Sequence, residues 1–164
     1  MRRPPLLAMT IALVGGLLVG LLVLRSNAPP DLTVERLEAA RTRWESRGPA
    51  SYTLEIEMQG ALEDRRRIEV RNGRVTEMSV GERPASEDSR TYWSVDGLFD
   101  FLEAELRNAA DPPPELGVSD SSQIVLKAAF DRRLGYPESF LRHILGRQQS
   151  TGWQVVSFEP HPPS

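Results

Sequence analysis

His143 and His161 are the only imidazoles in the 164-residue chain, and it has no cysteine. That arithmetic excludes a thiolate nucleophile, a disulfide, an iron–sulfur cluster and any cysteine-based or multi-histidine metal centre. A serine nucleophile needs a base held beside it. Here His143 follows Arg142 on a short apolar segment, His161 stands in the tail Pro160–Ser164, and there is no Gly-x-Ser-x-Gly turn. Paired carboxylates remain as a route to acid–base chemistry. With 23 acidic residues, however, pairs such as Glu55/Glu57 and Asp96/Asp100 arise whatever the function. Strand alternation places the first pair on one wet face, and the second sits early in a helix, where negative charge is favourable. The sequence shows no phosphate loop, dinucleotide fingerprint or calcium loop. We therefore expect a non-enzymatic protein with no metal and no cofactor.

The elements that would position any site follow from periodicity. Asp31-Leu32-Thr33 offers N-caps for a helix whose Val34, Leu37, Ala40, Arg41 and Trp44 share a face, ending at Gly48-Pro49. Tyr52, Leu54, Ile56 and Met58 alternate with polar residues as in a half-buried strand. Asn72-Gly73 marks a two-residue hairpin between strands at Arg65–Arg71 and Arg74–Val80. In that register Val70 meets Val75, and turning Met78 and Val80 inward as well requires a bulge near Glu77. The run Arg65-Arg66-Arg67 reads as cross-strand pairing with Glu55, Glu57, Glu63 and Asp64 rather than as an anion clamp. Gly81–Arg90 reads as a polar loop. Ser94 caps a second helix with Val95, Leu98, Phe101, Leu102 and Leu106 on one face, ending near Asn108 before Asp111-Pro112-Pro113-Pro114. Further strands are expected at Gln123–Phe130, Ser139–Ile144 and Trp153–Phe158, with Gly135-Tyr136-Pro137 as a turn.

Leu6–Leu24 is a 19-residue uncharged run behind Arg2 and Arg3. At about 1.5 Å per residue it reaches about 28 Å, enough to span a bilayer. The positive-inside bias keeps the N-terminus cytoplasmic and exports the rest. The alternative is a signal peptide cleaved after Ser26-Asn27-Ala28, releasing a secreted or periplasmic protein. Gly16 and Gly20 have the small-xxx-small spacing that lets two helices approach as a homodimer. From Pro29 onward 17 basic residues face 23 acidic ones, which disfavours nucleic acid and anionic membrane surfaces. Nineteen arginines against the single Lys127 point to a GC-rich bacterial source.

The expected fold class is thus α+β: an N-terminal transmembrane helix, then a two-layer domain of antiparallel strands with two helices, α-β-β-β-α-β-β-β. Its divisions are a stub at 1–5, a signal-anchor at 6–24, a linker at 25–30, the domain at 31–159 and a disordered tail at 160–164. Trp44 closing the first helix, Tyr52 opening the first strand, Val70–Val75 around the hairpin, Ser94–Phe99, and Phe130-Asp131 ahead of Gly135-Tyr136-Pro137 occur in an order that resembles the bacterial exported and lipoprotein-type domain of unknown function 6174. The resemblance covers Arg36–Phe158. It implies an envelope location and no known activity. The chain departs from the family's pattern in lacking the lipobox cysteine, which passes anchoring to the apolar run, and in lacking a cysteine on the first hairpin.

Three functions are compatible with these residues. The leading expectation is a membrane-anchored extracytoplasmic module that binds an unidentified envelope protein; it predicts a filled core and an exposed apolar patch. The alternative is a binder of a small or apolar ligand, with a cavity lined by residues such as Tyr52, Met58, Phe101 and Phe130. A hydrolase using acidic residues comes third. For recognition, whether as a surface or a pocket, the sequence nominates Trp44, Tyr52, Asp131, Gly135, Tyr136 and Pro137. For each, a packing or turn role is the competing explanation.

Overall fold

The period-two pattern that opens at Tyr52 is the seed of one large sheet. In the computed structural model of the chain, Leu54, Ile56, Ile68 and Val70 are shut off from solvent at its centre. Burying each of these side chains is worth about 1.5–3 kcal/mol. The structure describes residues 29–60, 64–86, 90–118, 120–148 and 150–162. They form α1 (Val34–Arg47), β1 (Tyr52–Gln59), β2 (Arg65–Arg71), β3 (Arg74–Val80), β4 (Arg83–Pro84), α2 (Val95–Ala110), β5 (Ile124–Phe130), β6 (Pro137–Ile144) and β7 (Ser150–Pro160). The sheet order is β4-β3-β2-β1-β7-β6-β5, and every pairing is antiparallel. Two meanders are therefore joined through their innermost strands, and the last strand of the chain runs beside the first.

Each helix begins on a side-chain cap. The Thr33 hydroxyl accepts from the Arg36 N–H at 3.3 Å, and the Ser94 hydroxyl accepts from the Gly97 N–H at 3.0 Å. Both helices lie on one face of the sheet, burying Leu37, Ala40 and Trp44 from α1 and Val95, Leu98, Phe99 and Leu102 from α2. They are tied to each other by Arg41, which bonds Asp100 at 3.0 Å and lies 5.5 Å over the Phe99 ring.

The Asn72-Gly73 turn takes positive φ at both residues, and the bulge expected near Glu77 falls at the adjacent Thr76: Glu69 pairs with Glu77 while Val70 pairs with Val75. That extra residue returns Met78 to the inner face opposite Ile68.

Several expectations are corrected. Among the described residues no helix is long and apolar enough to cross a membrane; the run Leu6–Leu24, with Gly16 and Gly20, and the cleavage position Ala28 lie outside them. The described fold is accordingly α+β without a spanning helix, and its sheet has seven strands rather than six. The strand missed is Arg83–Pro84, too short to show a period. The inner face of α2 is also rotated from the expected one: Phe99 and Glu105 are buried, whereas Phe101 is part-exposed. Pro30, expected in a linker, instead guards an edge. Its carbonyl accepts from the Ala128 N–H at 3.0 Å, the Leu32 N–H donates to Leu126 at 2.9 Å, and the outer side of β5 is covered. At the other terminus Pro160 ends β7, and the His161 N–H donates to the Ser51 carbonyl at 2.9 Å, so these two residues belong to the sheet margin rather than to a loose tail.

Candidate functional site

The residues nominated from sequence gather at one place, the C-terminal end of α1. Trp44 meets Tyr52 edge-on at 5.5 Å, Tyr52 stacks on Phe158 at 5.2 Å, and Tyr136 stacks on the same ring at 4.3 Å. The polar tips of Tyr52 and Trp44 are occupied. The Tyr52 hydroxyl accepts from the Val95 N–H at 2.8 Å, and the Trp44 indole N–H donates to Asp96 at 3.0 Å. Burial pushes the Tyr52 phenol well above its ordinary pKa; the Val95 N–H opposes this and the Asp96 charge adds to it.

Asp131 builds the turn into β6. Its carboxylate accepts from the Arg133 and Leu134 N–H groups, and its carbonyl accepts from the Gly135 N–H at 3.0 Å. Gly135 has φ 93°, and a Cβ there would stand 2.3 Å from the Ala40 carbonyl oxygen, so only glycine lets α1 lie this close. Pro137 is fully buried. Trp44, Tyr52, Gly135 and Pro137 line neither the cleft under α2 nor the one between α1 and the end of β5, whereas Asp131 lines the latter.

An apolar cleft of about 750 Å³ opens elsewhere, between α2 and the β1–β7–β6 part of the sheet. Its floor is Met58, Phe140 and Trp153, and its helical wall is Leu98, Phe101 and Ala104. Phe101 and Phe140 meet edge-on at 5.2 Å. Trp93, in a short 3-10 turn over Thr91–Trp93, closes one side and is held by Arg66, whose guanidinium lies 4.1 Å over the indole while bonding Asp64 at 2.9 Å. Gly152 faces the cleft; a Cβ there would come within 2.3 Å of the Phe140 carbonyl oxygen. Of the cavity residues expected from sequence, Met58 and Phe101 line this cleft, and Tyr52 and Phe130 do not.

Besides Asp96 and Asp100, an ion pair interrupts this apolar surface. Alternation along β6 turns Arg142 inward between Phe140 and Ile144, and α2 brings Glu105 to meet it. One guanidinium nitrogen, Nη1, donates to both Glu105 oxygens at 2.9 Å, with the Glu105 side chain 7% exposed and that of Arg142 23%. Burial raises the Glu105 carboxyl above the usual carboxylate range, and Arg142 offsets that only in part. Sequence reasoning missed both residues. The signal for Arg142 was present in the Phe140, Arg142, Ile144 alternation; nothing in the α2 pattern marks Glu105.

The second cleft, about 660 Å³, lies between α1 and the end of β5 and is polar, with Arg36, Arg43 and Arg132 facing Glu35, Asp131 and Glu138. Glu138 is raised by its own burial and by the Asp131 charge, with Arg132 opposing. Three cations balance three carboxylates, so the cleft favours neither sign of ligand. Among the described residues no cluster of three or more His, Asp or Glu could hold a metal ion.

Fold and clefts together define an α+β domain: one seven-stranded antiparallel sheet covered on one face by two helices, with an apolar cleft under the second. The chain belongs to the family of unknown function DUF6174, whose model matches residues 36–141. The match runs from α1 into β6; Arg142 and the central strand β7 lie past its end. Neither the curated proteins nor the solved structures compared with the chain contain a match.

Proposed function

We propose that this domain is a non-enzymatic binding module of the bacterial envelope whose ligand is a small, largely apolar molecule held in the cleft under α2. The observation that carries this reading is the cleft itself. At about 750 Å³, lined by Met58, Trp93, Phe101, Phe140 and Trp153, it has the size and lining of a small-molecule site. Its carboxylates are already engaged, Asp96 by Trp44, Asp100 by Arg41 and Glu105 by Arg142, which favours binding over acid–base chemistry. The envelope location is supported by the uncharged run Leu6–Leu24 behind Arg2 and Arg3. A protein partner is the competing reading, favoured by Tyr92, 72% exposed at the cleft rim.

The test is native mass spectrometry of the full-length chain, taken from its own membranes into phosphatidylcholine nanodiscs. A small molecule at unit stoichiometry, lost on Ala104→Phe with thermal stability unchanged, supports the reading. A stoichiometric protein with no small molecule moves the function to protein interaction. A chain that carries nothing, and takes up no decanamide when the latter is added, overturns it.

A further inference from the structure

Accepting the apolar cleft as a ligand site, we infer that its ligand is an amphipathic anion, an apolar body ending in a carboxylate, whose head group docks on Arg142. The inference rests on which hydrogen-bonding capacity the cleft leaves open. Glu105 is engaged: both its oxygens accept from Arg142 Nη1, and its side chain is almost wholly withdrawn from solvent. Arg142 is not spent. A guanidinium carries five N–H groups, and only Nη1 has a protein acceptor among the described residues, leaving the Nε and Nη2 donors on a side chain that borders the cleft and keeps some exposure. The open group at this polar end is therefore a donor-only cation, and the complementary ligand head is an acceptor that presents two oxygens.

The cost of holding the Glu105–Arg142 pair points the same way. Bringing an ion pair into an otherwise apolar wall costs desolvation that a hydrophobic pair of similar size would avoid. Near Arg142 a ligand carboxylate would compete with Glu105 for one cation, and burial already biases Glu105 toward the protonated form. Glu105 is thus the counter-ion that can yield, and an incoming carboxylate takes over its partner. The other acidic residues on the cleft, Asp96 and Asp100, each accept through Oδ1, from Trp44 and Arg41, and Arg66 is turned to Asp64 and the Trp93 ring.

The experiment is calorimetric titration of the full-length chain in phosphatidylcholine nanodiscs with decanoate, decanamide and decylammonium, using empty nanodiscs as the blank. Decanoate should bind about tenfold or more tighter than decanamide, since a carboxylate offers the guanidinium two charged oxygens and an amide one neutral oxygen. Arg142→Gln should bring the two to equal affinity, and Glu105→Gln, which removes the competing carboxylate, should tighten decanoate while leaving decanamide unchanged. A purely structural ion pair would not make decanoate affinity fall in one variant and rise in the other while decanamide stays unchanged. Equal binding of decanoate and decanamide to the native chain, or tightest binding of decylammonium, overturns the head-group assignment while the apolar-ligand reading stands. Failure of all three probes overturns both. Should Arg142→Gln not fold, Glu105→Gln decides alone: a decanoate affinity unchanged or weakened sinks the inference.

Discussion

The two faces of the sheet carry ion pairs of opposite character. On the outer face Glu55 bonds Arg67 at 2.6 Å and Glu57 bonds Arg65, each directly across the β1–β2 register, with the arginines more than half exposed. On the inner face Glu105 and Arg142 meet from a helix and a strand 37 residues apart, with Glu105 nearly dry and Arg142 part-buried. Exposed cross-strand pairs gain little because water already solvates both partners. A buried pair has given up that solvation, so each partner depends on the other. The outer pairs tidy a surface, whereas the inner pair is an expense of binding energy that a purely structural core would avoid.

The sharpest way to break the comparison is to remove one inner partner. Arg142→Met leaves Glu105 buried without its cation and is expected to cost about 3–5 kcal/mol in urea denaturation. Adding Glu105→Leu should recover most of that loss. If the single variant costs under about 1 kcal/mol, the pair is solvated after all and the distinction between the faces collapses. Next in size is Tyr52→Phe. It strips the acceptor from the Val95 N–H at the start of α2 while keeping the ring stack on Phe158, and is expected to cost about 1–3 kcal/mol by the same measurement. A neutral result would mean that water replaces the hydroxyl and that the aromatic cluster holds α2 through packing alone.

What could be read from the sequence follows the same division. The β1 alternation, the Asn72-Gly73 turn and the opposed Glu and Arg rows are local patterns, and together they fix the hairpin register down to the bulge at Thr76. The placement of β7 between β1 and β6 is non-local; no periodicity says which strand a final strand will join. The face of α2 failed for a related reason. Phe99 and Phe101 are equally apolar, and it is Phe99 that the tertiary core takes in, where it stacks on Phe130 at 6.2 Å. Glu105 reads as a solvated position until Arg142 arrives opposite it. Asp131 and Gly135 were legible as turn chemistry, but the cleft is assembled from four separate stretches of chain and has no signature in any one of them.

Acid should sharpen the contrast between the faces. Because burial raises the Glu105 pKa, the folded chain holds that proton more tightly than the unfolded chain. The site's contribution to stability is therefore greatest below the ordinary glutamate value of about 4.3 and falls as pH rises through the window above it, up to the folded value. Thermal melts of the native chain and Glu105→Gln across that range should show the native chain's advantage shrinking as pH increases. An advantage that grows with pH would mean that the attraction of Arg142 outweighs burial, making the pair net stabilising and weakening the case for a counter-ion that yields.

The smallest expected effect belongs to the outer face. Arg67→Gln removes the cation opposite Glu55, and with the arginine more than half exposed the loss should stay under about 1 kcal/mol. The Debye length falls to about 3 Å at 1 M salt, so the difference between native and variant should vanish there, whereas the penalty of Arg142→Met should persist because the buried pair is screened far less. Urea denaturation of both variants at low and high salt separates the cases in one experiment. If the Arg67 effect survived 1 M salt, the Glu55 and Arg67 pair would be holding the β1–β2 register through geometry rather than charge. The outer face would then share the interdependence assigned here only to the inner one.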